Sequence, residues 1–255
     1  MSDTAKIILM VVALSWGLAG LCACKDSSGT AGKVTGDRSA EKPTEKGQWP
    51  YLQDTHKGEV AANLLTKNFV VVFDGSGSMA EHKCAEGRSK SEVSKEAILE
   101  WSESIPQGSQ VGLISFHRGG WTEIPLGSYD REVFRKVIGA IQPGGTTPLA
   151  QAMGRADKML LREARKQLGY GEYTIVVVTD GIADSPQDLV KTVNSILART
   201  PVVIHTIGFC IGSKHSLNQP GRTYYRTAND PSALRQGLKE VLAEADTFDP
   251  AEFRR

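Results

Sequence analysis

Asp74, Ser76 and Ser78 stand at i, i+2 and i+4 of Asp74-Gly75-Ser76-Gly77-Ser78, so one short turn carries a carboxylate and two hydroxyls. Gly75 and Gly77 let the backbone bend tightly enough for those oxygens to converge. Two distant stretches offer more oxygen: Gly144-Gly145-Thr146-Thr147-Pro148-Leu149 and Thr179-Asp180-Gly181. A donor set made only of hard oxygens suits Mg²⁺, Mn²⁺ or Ca²⁺ and not the softer metals. A plain flexible turn would also read Gly-Ser-Gly-Ser, but it would not account for the threonine and Asp180 stretches. Gly75-Ser76-Gly77-Ser78-Met79-Ala80 formally fits the dinucleotide pattern G-x-G-x-x-G/A. Asp74 would repel a pyrophosphate there, and Phe116-His117-Arg118 offers no acidic ribose ligand, so no nucleotide is expected.

The elements that must hold these oxygens follow from hydrophobic pattern. Residues 68–73 (NFVVVF) form a short, branched apolar run, as a buried parallel strand requires. Further strands are expected over 109–116, 122–126, 173–179, 202–209 and 223–226, with Pro125 marking 122–126 as an edge. Apolar spacing predicts helices over 92–105, 130–141, 148–168, 185–198 and 231–245. Thr147 and Pro148 read as N-cap and first residue of the third of these. Alternation of this kind implies an α/β, doubly wound, mainly parallel sheet with one antiparallel edge strand and helices on both faces. The motif falls just beyond the carboxyl end of the first strand, where such sheets place their sites.

Taken together, Asp74-Gly75-Ser76-Gly77-Ser78, the Gly-Gly-Thr turn and Thr179-Asp180-Gly181 resemble the metal-ion-dependent adhesion site of von Willebrand factor A (VWA) domains. The resemblance runs from about residue 67 to 246 and includes Ile207-Gly208-Phe209 and Tyr224-Tyr225-Arg226. It implies a Rossmann-like VWA fold and a metal held by Asp74, Ser76, Ser78, Thr147 and Asp180, the last acting through water. Thr147 fits the family spacing, with Ala152 and Met153 five and six residues on. Its reading as a helix cap competes for the same hydroxyl, so Thr146 stays open as the alternative. The resemblance further implies Mg²⁺ as cofactor, with Mn²⁺ or Ca²⁺ as substitutes, and an open coordination position that accepts an Asp or Glu from a protein partner. Two carboxylates balance one dication, and a shell completed by neutral oxygens leaves it an effective Lewis acid.

The remaining chain sets the context. It has 255 residues, 40% of them hydrophobic, and a formal charge of +1, so neither nucleic acid nor a polybasic membrane surface is expected as partner. Residues 7–24 form an uncharged apolar run ending in Leu21-Cys22-Ala23-Cys24. That ending resembles the lipobox of bacterial lipoproteins and implies lipidation of Cys24; an uncleaved anchor is the other reading. The expected organisation is a signal peptide over 1–23, a lipid-anchored disordered tether over 24–64, a VWA domain over 65–246 and a tail over 247–255. Residues 25–48 are too poor in large apolar side chains to offset their ordering entropy. The protein is thus expected to be exported and membrane-anchored, on the outer membrane or periplasmic face if the cell is Gram-negative. Cys84 and Cys210 fall in loops at one end of the sheet, and an oxidising compartment would allow them to pair. His117 and His215 also fall in loops near that end, and a solvated role is expected for both; Asp184 reads as a helix cap ahead of Pro186. The function expected is cation-dependent protein binding in the cell envelope, not catalysis. The alternatives are a metal-dependent hydrolase or phosphoryl-transfer enzyme, against which no general base, nucleophile pair or P-loop stands near the motif, and a domain whose cation only stabilises loops.

Overall fold

The computed structural model describes residues 49–50 and 59–245. Cys24, the expected signal peptide and the C-terminal tail lie outside them. Six strands form one sheet: β1 (Lys67–Gly75), β2 (Gln110–His117), β3 (Gly120–Ser128), β4 (Glu172–Thr179), β5 (Val203–Phe209) and β6 (Tyr224–Ala228), in the order β3-β2-β1-β4-β5-β6. All pairings are parallel except β2 with β3, which is an antiparallel edge. The mainly parallel α/β sheet with one antiparallel edge strand is the fold class the sequence implied. Five helices cover it: α1 (Lys90–Glu103), α2 (Arg131–Ala140), α3 (Leu149–Lys166), α4 (Pro186–Arg199) and α5 (Pro231–Ala245).

Side-chain alternation along β1 divides the core. Phe69, Val71 and Phe73 join α1, α2 and α5 on one face, while Val70 and Val72 join α3 and α4 on the other. All five are buried, because the central strand is covered on both sides. The β2–β3 register slips between Val111 and Leu113, opposite the segment holding Pro125. Proline has no N–H to give the ladder, so a bulge on an edge strand is where it is tolerated. Trp49, inside the stretch assigned to the tether, lies edge-on to Tyr173 at 5.6 Å between ring centroids.

Four helix starts differ from the sequence reading by one or two residues, α2 beginning at Arg131 after its cap Asp130. α1 begins at Lys90, two residues before the expected start, because Ser89 and Glu92 form a reciprocal capping box. α3 begins at Leu149 with Pro148 as its N-cap, and no side chain caps it. Thr147 is therefore not the cap, and its hydroxyl is not committed to the helix. α4 is capped by Ser185, whose hydroxyl accepts from the Asp188 amide, so Asp184 is not the cap either.

Candidate metal centre

In the strand order, β1 leads to β2 on one side while β4 lies on the other, so the chain reverses direction across the sheet between β1 and β4. A crevice opens at the carboxyl ends of strands where this happens. Asp74, near the end of β1, is completely buried there. Its Oδ1 accepts from the Ser76 amide at 2.8 Å, and its Oδ2 accepts from the Thr179 hydroxyl at 2.6 Å. Burial pushes its pKa up from 3.8 to about 6, with the Asp180 charge adding to the rise and the bonds to Ser76 and Thr179 opposing it.

The other oxygens gather beside it. Ser76 and Ser78 hydroxyls lie 3.2 Å apart, and Ser78 donates to Asp180 Oδ1 at 2.7 Å. Ser78 Oγ and Thr147 Oγ1 lie 3.5 and 3.6 Å from the point where Gly181 would carry a Cβ, so both hydroxyls flank the third loop at the same place. Thr147 is buried, whereas Thr146 is exposed, which favours Thr147 as the donor. The five residues named from sequence thus meet from three loops.

Backbone bonds fasten those loops to one another. Gly77 donates to the Gly145 carbonyl at 3.2 Å and Gly144 to the Gly75 carbonyl at 2.9 Å, joining the first loop to the second. Asp184 joins the second to the third: its Oδ1 accepts from the Thr147 amide at 2.7 Å, and its own amide donates to the Thr147 carbonyl at 3.0 Å. Gly145 sits at φ 83°, a conformation that glycine adopts without steric cost. Cys84, just past the first loop, is joined by a disulfide to Cys210 after β5.

Two supporting residues had escaped the sequence reading. Lys90 is buried, and its ammonium donates to Asp180 Oδ2 at 2.8 Å and to Glu81 Oε2 at 2.7 Å. Desolvation would lower its pKa, but the bonds to Asp180 and Glu81 outweigh it and hold the ammonium above the ordinary lysine range. His215 is also buried and not solvated, because it lies stacked on Tyr225 with centroids 5.7 Å apart. Its Nδ1 accepts from the Leu217 amide, so Nε2 carries the proton and donates to the Gly181 carbonyl at 3.1 Å. That bond steadies the third loop. His117 is tied to Thr122 at 2.8 Å through Nε2 and accepts from the Gly119 amide at 3.0 Å.

Gly75 permits the tight approach of β1 to its neighbour. A Cβ there would lie 2.6 Å from the Phe116 carbonyl oxygen and 2.8 Å from His117 Cβ, whereas one at Gly77 would meet only the Gly145 carbonyl, at 3.6 Å. Gly75→Ala should therefore cost about 1–3 kcal/mol through backbone displacement, and Gly77→Ala much less. Urea denaturation of the two variants checks this, and equal stabilities would contradict the contact geometry.

The model of the von Willebrand factor type A domain family matches residues 69–182, a span that contains all five oxygen donors. Uncharacterized protein YwmC of Bacillus subtilis is 28% identical over 156 residues, covering 56% of this chain and 66% of that protein, so the chain spans just under two thirds of this relative's length. Among solved structures, the pilus adhesin SpaC from Lactobacillus rhamnosus GG superposes with a TM-score of 0.58 at 15% identity, over 74% of this chain and 31% of the adhesin. A von Willebrand factor type A structure from Catenulispora acidiphila gives a TM-score of 0.56 at 18% identity, over 71% of this chain and 43% of that one. The structural likeness is one of fold, a Rossmann-like α/β sheet, and the family model matches the part of the chain that carries the oxygen-bearing loops.

Proposed function

We propose that this domain holds one divalent cation, Mg²⁺ by chemistry of choice and Mn²⁺ or Ca²⁺ as substitutes, and uses an open coordination position to grip an aspartate or glutamate of a protein partner. The observation that carries this reading is the convergence of Ser76, Ser78, Thr147 and Asp180 oxygens beside the buried carboxylate of Asp74. A fully buried carboxylate held by neutral amide and hydroxyl donors of Ser76 and Thr179 is costly, and a cation would offset that cost. The donor set is entirely oxygen, as a hard cation prefers. In this reading the role is binding and not catalysis: the Ser76 and Ser78 hydroxyls are directed to each other and to Asp180, which the same reading assigns to the cation.

In the same reading Cys24 carries a lipid and the domain works at the cell envelope. Among the described residues no helix is long and apolar enough to cross a membrane. The pilus adhesin shares the fold and is an adhesin by its own description, which makes a binding role the natural comparison.

Calorimetric titration of the protein with Mg²⁺, Mn²⁺ and Ca²⁺ should give one saturable site. Asp74→Ala and Asp180→Ala should abolish it while the far-ultraviolet circular dichroism stays that of a folded sheet. A water-proton relaxation assay with bound Mn²⁺ should then show displacement of coordinated water by an aspartate-containing peptide. No saturable binding by the parent protein, or parent-like affinity in both variants, would end the proposal. Turnover of simple phosphoesters that disappears in Asp74→Ala would favour an enzyme instead.

A further inference from the structure

We infer that Lys90 is a positioning residue that sets the charge of the metal centre, weakening its hold on the cation in exchange for a stronger hold on an anionic ligand. This rests on the reading of the site as a divalent-cation centre. The observation behind it is the division of the Asp180 carboxylate. Oδ1 faces the oxygen cluster and accepts from Ser78 at 2.7 Å, while Oδ2 is taken by the Lys90 ammonium at 2.8 Å. The lysine side chain is only 4% exposed, and the Asp180 side chain is fully buried. A buried ion pair is screened by solvent less than an exposed one, so the charge of Lys90 acts on groups beside Asp180 more strongly than a surface charge would.

The placement of Lys90 is built in by the chain. It is the first residue of α1, fixed there by the Ser89 capping box, and its amide donates to the Glu81 carbonyl at 2.8 Å. Glu81 holds the ammonium from the other side, but its carboxylate is 59% exposed and is largely screened by water. The inner charges are then Asp74, Asp180 and Lys90, which sum to a single negative charge. A dication added to them leaves a net positive centre, where Asp74 and Asp180 alone would leave a neutral one. The excess positive charge is neutralised when a carboxylate from a partner enters the open position. Lys90 also prevents Asp180 from turning both oxygens toward the cation, which keeps that position available.

The consequence has opposite signs in three measurements. Lys90→Met, close in length and apolar, should lower the stability of the metal-free protein, because Asp180 loses its buried partner. The same variant should bind Mg²⁺ at least about tenfold more tightly in calorimetry, because one repelling charge near the cation is gone. It should also release an aspartate-containing peptide from the Mn²⁺-loaded site at least about tenfold more readily in the relaxation assay. Lys90→Arg keeps the charge and should return both affinities toward the parent values. A lysine with only a structural role would weaken metal binding along with stability. Unchanged or weaker Mg²⁺ binding by Lys90→Met, with the parent binding well, would overturn this inference and leave the metal site standing. Absence of binding in both proteins would overturn the metal site and the inference together.

Discussion

Asp74→Asn is expected to reverse the stability order of variant and parent between chelator and excess Mg²⁺. In chelator the variant should equal or exceed the parent. The parent buries a carboxylate completely, and the rise of its pKa from 3.8 to about 6 corresponds to roughly 3 kcal/mol against the charged form. Because the folded-state value is raised, this penalty is absent below the ordinary carboxylate range and complete above about pH 6, so neutral pH is where the comparison is informative. Asparagine has the same shape and can be satisfied in place. Its Oδ1 still accepts from the Ser76 amide, and its Nδ2 donates to the Thr179 hydroxyl, which turns its own proton toward the Gly181 carbonyl 3.3 Å away. In excess Mg²⁺ the parent gains stability by mass action and the variant, with one of its two inner carboxylates gone, does not. Chemical denaturation of both proteins in EDTA and in Mg²⁺ gives the four free energies needed. A variant markedly weaker than the parent in EDTA would show that Asp74 is a structural anchor first. Equal stabilisation of both proteins by Mg²⁺ would place the cation elsewhere.

What the sequence disclosed, and what it withheld, divides along local and distant causes. The strand over 68–73 was legible because an unbroken β-branched run has few other homes, and the observed β1 contains it. The oxygen donors were legible because the motifs name themselves by residue type and order. Thr147 was misread as a cap because a threonine before Pro-Leu fits that pattern locally. Its amide is instead claimed by Asp184, thirty-seven residues away, and the helix starts one residue beyond Pro148. His215 looked solvated because nothing near it in sequence covers it, whereas Tyr225 from β6 does. Lys90 looked like one more surface charge, as lysines usually are. The capping box Ser89-x-x-Glu92 was the available signal: it moves the helix start back to Lys90 and turns the side chain toward the site. That Asp180 would meet it required knowing that β4 lies beside β1.

Removing the Cys84–Cys210 cross-link should cost stability far more than it costs cation binding. The bond joins residues 126 apart and encloses the second and third loops of the oxygen cluster. In the chain-entropy account a loop of that length contributes up to about 5 kcal/mol by restricting the unfolded chain, with 2–4 kcal/mol the common outcome. Cys84→Ser with Cys210→Ser should therefore lower Tm by roughly 5–15 °C for a domain of this size. Cation affinity should change little, because the restriction acts on the unfolded state while Gly77–Gly145, Gly144–Gly75 and Asp184–Thr147 bonds still hold the loops together. Backbone conformation provides a second, independent check. Both cysteines sit in the left-handed region, at φ 62° and 60°, where a side chain costs about 1–2 kcal/mol and glycine costs little. Serines at these positions keep that cost without the cross-link that outweighed it, so Cys84→Gly with Cys210→Gly should be about 1 kcal/mol more stable than the serine pair. Thermal denaturation under oxidising conditions and Mg²⁺ calorimetry on the three proteins test both points. A serine pair as stable as the parent would remove the cross-link from the energetics. A loss of Mg²⁺ binding matching the loss of stability would mean that the disulfide shapes the native loops directly.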